Sequence, residues 1–215
     1  MKTPDEDWLL WQLADSAFPT GGFAHSVGLE AAWQQGEIRN PAELSSFLEA
    51  SLRQLAHSAL PFVAAAHDAP EQGAELDRLC DAFLTNHVAN RASRAQGRSF
   101  LMVAEKSFGL ARYSLPIGHF APVFGGTARR LGLPRMSTTH LFFFQHLRGL
   151  VAAAIRLGIV GPMEAQALQH RLAPTAREIL SRGGQWPVSA LAQTAPLLEL
   201  WQGTQDRLYS RLFQS

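Results

Sequence analysis

The chain has 215 residues, of which 47% are hydrophobic and 17% charged, enough apolar material for one globular core. Its 19 Lys and Arg against 18 Asp and Glu give a net charge of +1, which excludes the strongly basic balance of a DNA-coating protein and the acidic balance of a disordered chain. The 32 Ala and 30 Leu against 8 Val and 5 Ile favour helices over a large β-sheet. We therefore expect an all-α, single-domain bundle of roughly eight to ten helices over residues 1–215.

The first forty residues predict two helices separated by a shaped loop. Residues 1–7 are polar and are expected to form a flexible start, followed by a short apolar helix at residues 8–13. Residues 15–22 contain a proline and two adjacent glycines, which permit backbone angles that end a helix. A second helix is predicted from Phe23 to Gln35, with Gly36 as its end.

The clearest helix start is at Asn40. Asn40 can cap, Pro41 suits the first helical position, and Glu43 can reach back to the cap as in a capping box. Apolar residues then recur at steps of three and four, which predicts a buried stripe: Leu44, Phe47, Leu48, Leu52 and Leu55.

The middle of the chain predicts three helices and a connector. One begins at Glu75 and carries Cys80 on its apolar face, so this sole cysteine is expected to be structural. Others are predicted at residues 90–110 and 119–133, joined by a connector at 109–118. The Gly125-Gly126 pair indicates close helix packing.

The last third predicts helices throughout. Residues 141–160 are the most hydrophobic stretch and approach the ~20 residues of a membrane span, but they include two arginines, a glutamine and a histidine. We therefore expect a buried central helix and no membrane contact. A helix from Gly161-Pro162 is expected to be interrupted or restarted at Pro174 and to close at Gly183-Gly184, and the final helix should span Pro196 to Phe213.

The motifs of common enzyme and metal classes are absent. The sequence has no phosphate-binding Gly-x-x-x-x-Gly-Lys run, no His-Glu-x-x-His and no paired Cys-x-x-Cys. His140 and His146 are six apart and fall on different helix faces, so no metal site is predicted. With no signal peptide and no possible internal disulfide, the expected location is the cytoplasm.

Two alternatives arise from local patterns. Ala24-His25-Ser26-Val27-Gly28 is similar to a nucleophile elbow and would make Ser26 the nucleophile of a serine hydrolase, but an elbow needs a preceding strand that the sequence lacks. Arg91, Arg94 and Arg98 form a stripe that could bind nucleic acid or an acidic partner, or could be a solvated helix face. Gly97 within that helix indicates that something approaches it closely.

Four segments in order resemble the urease accessory protein F family (UreF). They are LADSAFPTGGFAHSVGLE at Leu13–Glu30, the Gln-Gly-Arg element within Arg94–Arg98, His-x-x-Val-Phe-Gly from His119, and the closing TQDRLYSRLFQS of residues 204–215. The sequence departs from the family at His25, where a tyrosine is common, and at Gly161-Pro162, where a Gly-Gln pair is frequent.

The resemblance implies a homodimeric assembly factor that helps nickel enter urease and has no catalytic residues of its own. It implies binding to urease accessory protein D (also called H), recruitment or regulation of the GTPase accessory protein G, and action on the urease apoprotein. Nickel would be handled by the complex, with no intrinsic cofactor. His25, His119 and His140 remain plausible transient ligands, because imidazole suits nickel.

The family's motif residues are carried over as expected partner-binding positions. Those in the loop and the following helix are Ser16, Phe18, Pro19, Gly21, Gly22, Phe23, Ser26, Gly28 and Glu30, and those in the middle are Arg94, Gln96, Gly97, Arg98 and His119. Those in the tail are Tyr209, Ser210, Arg211, Leu212 and Phe213. Because a terminal segment frays unless it is docked, residues 204–215 are expected to dock on this protomer or on a partner.

Overall fold

The computed structural model describes residues 4–183 and 186–215. Within them the chain forms ten α-helices and no strand, which confirms the all-α prediction. The helices are α1 Pro4–Ala14, α2 Leu29–Gln34, α3 Pro41–His57, α4 Ala59–Asp68, α5 Gly73–Phe83, α6 His87–Phe108, α7 Phe120–Arg130, α8 Arg135–Arg156, α9 Pro162–Gly183 and α10 Pro196–Thr204. Short 3-10 turns occupy Gly22–Ala24, Pro70–Gln72, Val188–Ala190 and Gln205–Arg207.

Helices α4 and α7 pack face to face at the centre of the bundle. A Cβ added at Gly125 would lie 2.2 Å from the carbonyl oxygen of Val63, so only glycine allows this approach. A Cβ added at Gly126 would lie 3.2 Å from the Tyr113 hydroxyl oxygen, a tight contact. The close packing predicted for this glycine pair is therefore confirmed.

Aromatic rings fill the space beside α7. Phe100, Phe120, Phe124 and Phe142 form neighbouring pairs with ring centroids 5.1–5.7 Å apart. Cys80 is buried and free, as expected. Burial raises the pKa of its thiol far above the usual range, which fits a structural rather than a reactive role.

The predicted N-cap of α3 at Asn40 is confirmed, but the predicted capping box, in which Glu43 reaches back to Asn40, is wrong. The Asn40 side chain accepts hydrogen bonds from the N–H groups of Ala42 and Glu43, both at 3.0 Å. The Glu43 carboxylate reaches one residue further back, accepting from the Arg39 N–H at 2.6 Å instead of from Asn40. The Arg39 guanidinium, 3.2 Å from the other Glu43 oxygen, explains this choice.

The helix predicted from Phe23 to Gln35 is wrong: a 3-10 turn and α2 stand there, separated at residues 25–28. Val27 and Gly28 have φ of 53° and 84°, in the left-handed region, so a right-handed helix cannot pass through them. Gly28 also lies against α10, where an added Cβ would be 2.9 Å from the Gln202 nitrogen.

The final helix is shorter than predicted, because α10 ends at Thr204 and residues 208–215 are not helical. The backbone N–H groups of Leu212 and Phe213 bond to the Glu30 carboxylate. A continued helix would have used those groups internally, so capture by Glu30 replaces the last predicted turns.

Three other boundaries differ from expectation. Helix α1 begins at Pro4, so residues 4–7 of the start that was expected to be flexible are helical. Residues 1–3 lie outside the described residues. Pro174 does not interrupt α9; the carbonyl it leaves unbonded belongs to His170, which is exposed to water. The expected close at Gly184 lies outside the described residues. Among the residues described, no helix is long and apolar enough to cross a membrane.

Candidate functional site

Glu30 holds two distant parts of the chain together. Its side chain is 1% exposed and accepts hydrogen bonds from the N–H groups of Leu212 at 2.6 Å and Phe213 at 3.1 Å. The Gln205 amide donates a third bond at 2.6 Å. We call residues 21–30 together with residues 205–215 the loop–tail clasp.

The far end of the clasp is tied at Ser215. The main-chain oxygen of Ser215 accepts from the Ser26 backbone N–H and from the Ser26 hydroxyl, the latter at 3.1 Å. The Ser215 hydroxyl lies 2.6 Å from Nδ1 of His25. Burial, and secondarily the charge of Arg91, lowers the pKa of His25 to about 4, so the imidazole is neutral at pH 7. The end of the tail is therefore held against residues 25–30 of the same chain.

The outer face of the clasp is apolar and exposed. Phe23 is 73% exposed, Leu212 is 51% exposed and Tyr209 is fully exposed. Arg156 on α8 connects the two segments, because its guanidinium donates to the Phe23 carbonyl and lies 4.2 Å from the centre of the Phe213 ring. Exposed aromatic rings beside an arginine are typical of protein interfaces.

An ion-pair cluster borders this face. The Asp206 carboxylate receives Arg91 through two nitrogens at 2.9–3.1 Å, Arg211 at 3.0 Å and His87 at 3.3 Å. Bonding to Arg91 holds the pKa of this carboxyl below its usual range. The first arginine of the predicted stripe is thus paired within the chain, and Arg91 and His87 of α6 hold the tail through Asp206.

His119 belongs to a second, separate site. Asp77 is fully buried and accepts the N–H groups of Ile117, Gly118 and His119 at 2.7–2.9 Å. The His119 ring lies 3.1 Å from the Ser93 hydroxyl and 3.0 Å from Asp81. We call this group the α7 anchor, because it fixes the residues where α7 begins.

The Gln-Gly-Arg element packs against the α7 anchor. A Cβ at Gly97 would lie 2.1 Å from the Gly118 carbonyl oxygen, so the close approach predicted at this glycine is made by the chain's own backbone. Gln96 and Arg94 are partly buried. Hydrogen bonds from Asn90 and His119, and to a smaller extent the charge of Arg94, lower the pKa of the Asp81 carboxyl. Arg98 is exposed.

The rest of the predicted loop packs one aromatic ring against the core and leaves other residues exposed on its surface. The Phe18 ring stacks on Phe108 and contacts Phe100, with centroids 6.0 and 5.9 Å away. Ser16 and Pro19 are exposed on the outside of this loop. Gly21 has a φ of 75° that favours glycine, and Gly22 begins the 3-10 turn. Phe18 therefore anchors a loop whose surface remains open.

Apart from Phe18, Gly21 and Gly22, which shape the loop, the predicted partner-binding residues fall into three groups. Exposed positions of the clasp and its approach are Ser16, Pro19, Phe23, Tyr209, Ser210, Arg211 and Leu212. Buried positions that hold the clasp are Ser26, Gly28, Glu30 and Phe213. The middle set of Arg94, Gln96, Gly97, Arg98 and His119 lies at the α7 anchor.

The structure does not favour the two alternatives from local patterns. Ser26 is fully buried and donates to Ser215, and no strand precedes it within the described residues, so the elbow geometry is missing. Of the arginine stripe, Arg91 is paired with Asp206, Arg94 is partly buried and Arg98 is exposed.

The expected transient nickel ligands are far from equivalent. Both ring nitrogens of His119 face protein partners, and His25 is buried in the clasp, whereas His140 is exposed on α8. In the part of the chain that the structure describes, no three His, Cys, Asp or Glu side chains come together as a metal site would require.

Sequence reasoning missed Asp77, Gln205 and Asp206. Asp77 did carry a signal, because it follows Leu76 within an apolar helical pattern and a carboxylate there must find donors. Asp206 and Gln205 carried none, since Arg91 and Glu30, which tie them to other helices, are more than a hundred residues away in sequence.

The fold and the clasp define an all-helical, single-domain protein that exposes apolar side chains of the clasp and anchors them through Arg156. The UreF family model matches residues 38–173. Urease accessory protein F of Oryza sativa subsp. indica is 37% identical over 219 residues, covering 96% of this chain and 84% of the relative. The Arabidopsis thaliana protein of the same name is 37% identical over 222 residues, covering 97% and 92%, and Trichodesmium erythraeum UreF is 29% identical over 223 residues, covering 97% and 96%. The chain belongs to the urease accessory protein F family, which supports a role in urease maturation.

Proposed function

We propose that this protein is a non-catalytic scaffold for urease maturation and that the outer face of the loop–tail clasp is its docking surface for urease accessory protein D/H. The observation that carries the proposal is the exposed set of Phe23, Tyr209 and Leu212 on segments that Glu30 holds rigidly from within. A pre-ordered apolar face loses little conformational entropy when a partner covers it.

In the same proposal, the complex with protein D/H recruits or regulates the GTPase accessory protein G and delivers nickel to the urease apoprotein. The protein acts as a homodimer in the cytoplasm. It holds no intrinsic cofactor and does not bind nucleic acid. Nickel is cargo of the assembled complex, and the exposed His140 is the most accessible of the three candidate transient ligands.

A binding assay with point variants tests the docking surface. Truncation before Thr204 is unsuitable, because it would leave the buried Glu30 carboxylate without its donors and destabilise the fold. The double substitution Tyr209→Ala with Leu212→Ala removes exposed surface while leaving the backbone bonds to Glu30 in place. We expect it to weaken capture of protein D/H by about tenfold or more.

Trp8→Ala is the matched control. Trp8 is also a largely exposed aromatic residue, and its helix lies beside the opposite end of α8, where Glu6 bonds to Ser137. That end is roughly 28 Å along the helix from Arg156. Equal capture by the double variant and the wild type would remove the clasp face from the interface.

A further inference from the structure

A partly open cavity of ≈ 410 Å³ lies between the loop at residues 15–23 and helices α3 to α8 and α10. This volume falls in the range of small-molecule sites, roughly 300–1,000 Å³. Its walls are rich in apolar side chains, including Leu13, Phe18, Leu55, Phe62, Phe83 and Phe142.

The charged groups on the cavity wall are already engaged or reach solvent. Arg148 donates to the Ala14 carbonyl, and Arg156 donates to the Phe23 carbonyl. Glu199 bonds to Gln54 at 3.3 Å, and Asp15 is exposed and bonds to the Ala17 N–H at 2.8 Å. The guanidinium groups of Arg148 and Arg156 bond to neutral carbonyls and keep their positive charge, so the wall disfavours a cation, and the apolar and neutral groups around His146 favour an uncharged ligand.

The cavity wall between α3 and α8 carries a polar pair. Nε2 of His146 on α8 lies 2.8 Å from the Ser51 hydroxyl on α3. His146 is surrounded by protein yet keeps free surface, and since it lines the cavity, that surface faces the cavity. Burial lowers its pKa to about 4, so the ring is neutral at pH 7. Among the described residues the bond to Ser51 engages Nε2, which leaves Nδ1 for a ligand.

We propose that this cavity binds a small, uncharged, mostly apolar molecule with one hydroxyl group, which bonds to Nδ1 of His146 while the apolar body fills the space between the phenylalanines. A hydroxyl both donates and accepts, so it suits either tautomer of the ring. The Ser51 bond fixes the orientation of the imidazole.

Gly149 provides a way to close the site. It lies in α8 and lines the cavity, and a Cβ added there would meet no atom within 4 Å. Gly149→Leu therefore grows into free space, and replacing a helical glycine favours the helix by about 1 kcal/mol. Ala167→Leu, at an exposed position of α9, is the matched control.

The test is calorimetric titration of the full chain with phenol, benzene and benzoate. Phenol is expected to bind saturably, benzene about fivefold more weakly for want of the hydrogen bond, and benzoate not at all. Gly149→Leu should abolish phenol binding and Ala167→Leu should not. Ser51→Ala, which keeps the apolar volume, should weaken phenol binding about fivefold.

Each contrary result overturns the proposal. Absence of phenol binding, or persistence of it in Gly149→Leu, removes the cavity as the site. Benzene binding as tightly as phenol, or an unchanged affinity in Ser51→Ala, removes the polar anchor. Equal binding of benzoate contradicts the uncharged ligand class. Circular dichroism of each variant confirms that the chain tested is folded.

Discussion

Asp77 and Glu30 are two buried carboxylates that do the same chemical work in different settings. Asp77 accepts three consecutive backbone N–H groups of residues 117–119. Glu30 accepts two from residues 212–213 and one from the side-chain amide of Gln205. In each case an acceptor-only group replaces the helical or strand partners that these donors lack.

The two sites differ in what surrounds the captured segment. At the α7 anchor, His119 is fully buried, and Gly97 allows α6 to close over the backbone. At the clasp, the residues beside the captured N–H groups are exposed, with Tyr209 and Leu212 facing outward. The same hydrogen-bonding device thus completes the core in one place and presents a surface in the other.

Removing the anchor carboxylate should have the largest effect. Asp77→Ala leaves three buried N–H groups without acceptors, and we expect a loss of about 3–5 kcal/mol in the free energy of unfolding. Urea denaturation followed by circular dichroism measures it. Asp77→Asn, which keeps one acceptor oxygen, should lose less. A stability change below about 1 kcal/mol in Asp77→Ala would contradict the role given to the anchor.

Alanine substitutions at Gly28 and Gly21 should destabilise the protein to different extents, because only Gly28 is in close contact with another helix. Gly28→Ala combines a left-handed φ with a Cβ 2.9 Å from the Gln202 nitrogen, so we expect a loss of about 2–3 kcal/mol. Gly21→Ala meets only the φ penalty, because no atom lies within 4 Å of its added Cβ, and should lose about 1–2 kcal/mol. Equal thermal stabilities of the two variants would rule out the contact with α10.

Replacing Glu30 should affect local opening of the tail more than the free energy of global unfolding. In Glu30→Gln the tail loses its charged acceptor, but the amide keeps one acceptor oxygen for the N–H groups of Leu212 and Phe213. We expect a loss of about 1–2 kcal/mol in unfolding free energy and faster hydrogen exchange at both amides, about tenfold or more. Unchanged exchange there would show that the tail is held by other contacts.

Acid should weaken the clasp modestly. The folded-state pKa of His25 is about 4, below the 6.5 of the unfolded chain, so the unfolded state takes up the proton first as the pH falls. The stability from neutral His25 is present above about pH 6.5 and is lost towards pH 4. Between about pH 7 and pH 5.5 we expect a loss of about 1 kcal/mol that is absent in His25→Gln. Identical losses in the wild type and in His25→Gln would show that His25 is not the cause of the acid sensitivity.

The helices were predictable wherever a local signal defined them. Asn40 and Pro41 marked the start of α3, and the Gly125-Gly126 pair marked the contact of α7 with α4. The stretch from Phe23 to Gln35 has good helix formers, and its break depends on α10 packing against Gly28, which no local pattern contains. The tail likewise reads as helical until Glu30, far away in sequence, captures its N–H groups.

The candidate site was predictable as a set of residues and not as an arrangement. The motif residues of the loop and the tail do meet, but the sequence could not say that Glu30 and Ser26 face inward while Phe23 and Tyr209 face outward. It also grouped His119 with them, whereas its ring completes the separate α7 anchor. Orientation depends on long-range partners, which are invisible to spacing and periodicity.

Hydrogen exchange of the intact protein with and without urease accessory protein D/H tests the central claim most directly. We predict that binding protects the amides of residues 21–24 and 209–213, while those of residues 117–119 keep the protection they already have. Protection that appears on α1 or α9 and leaves the clasp unchanged would contradict the claim that the clasp presents the docking surface.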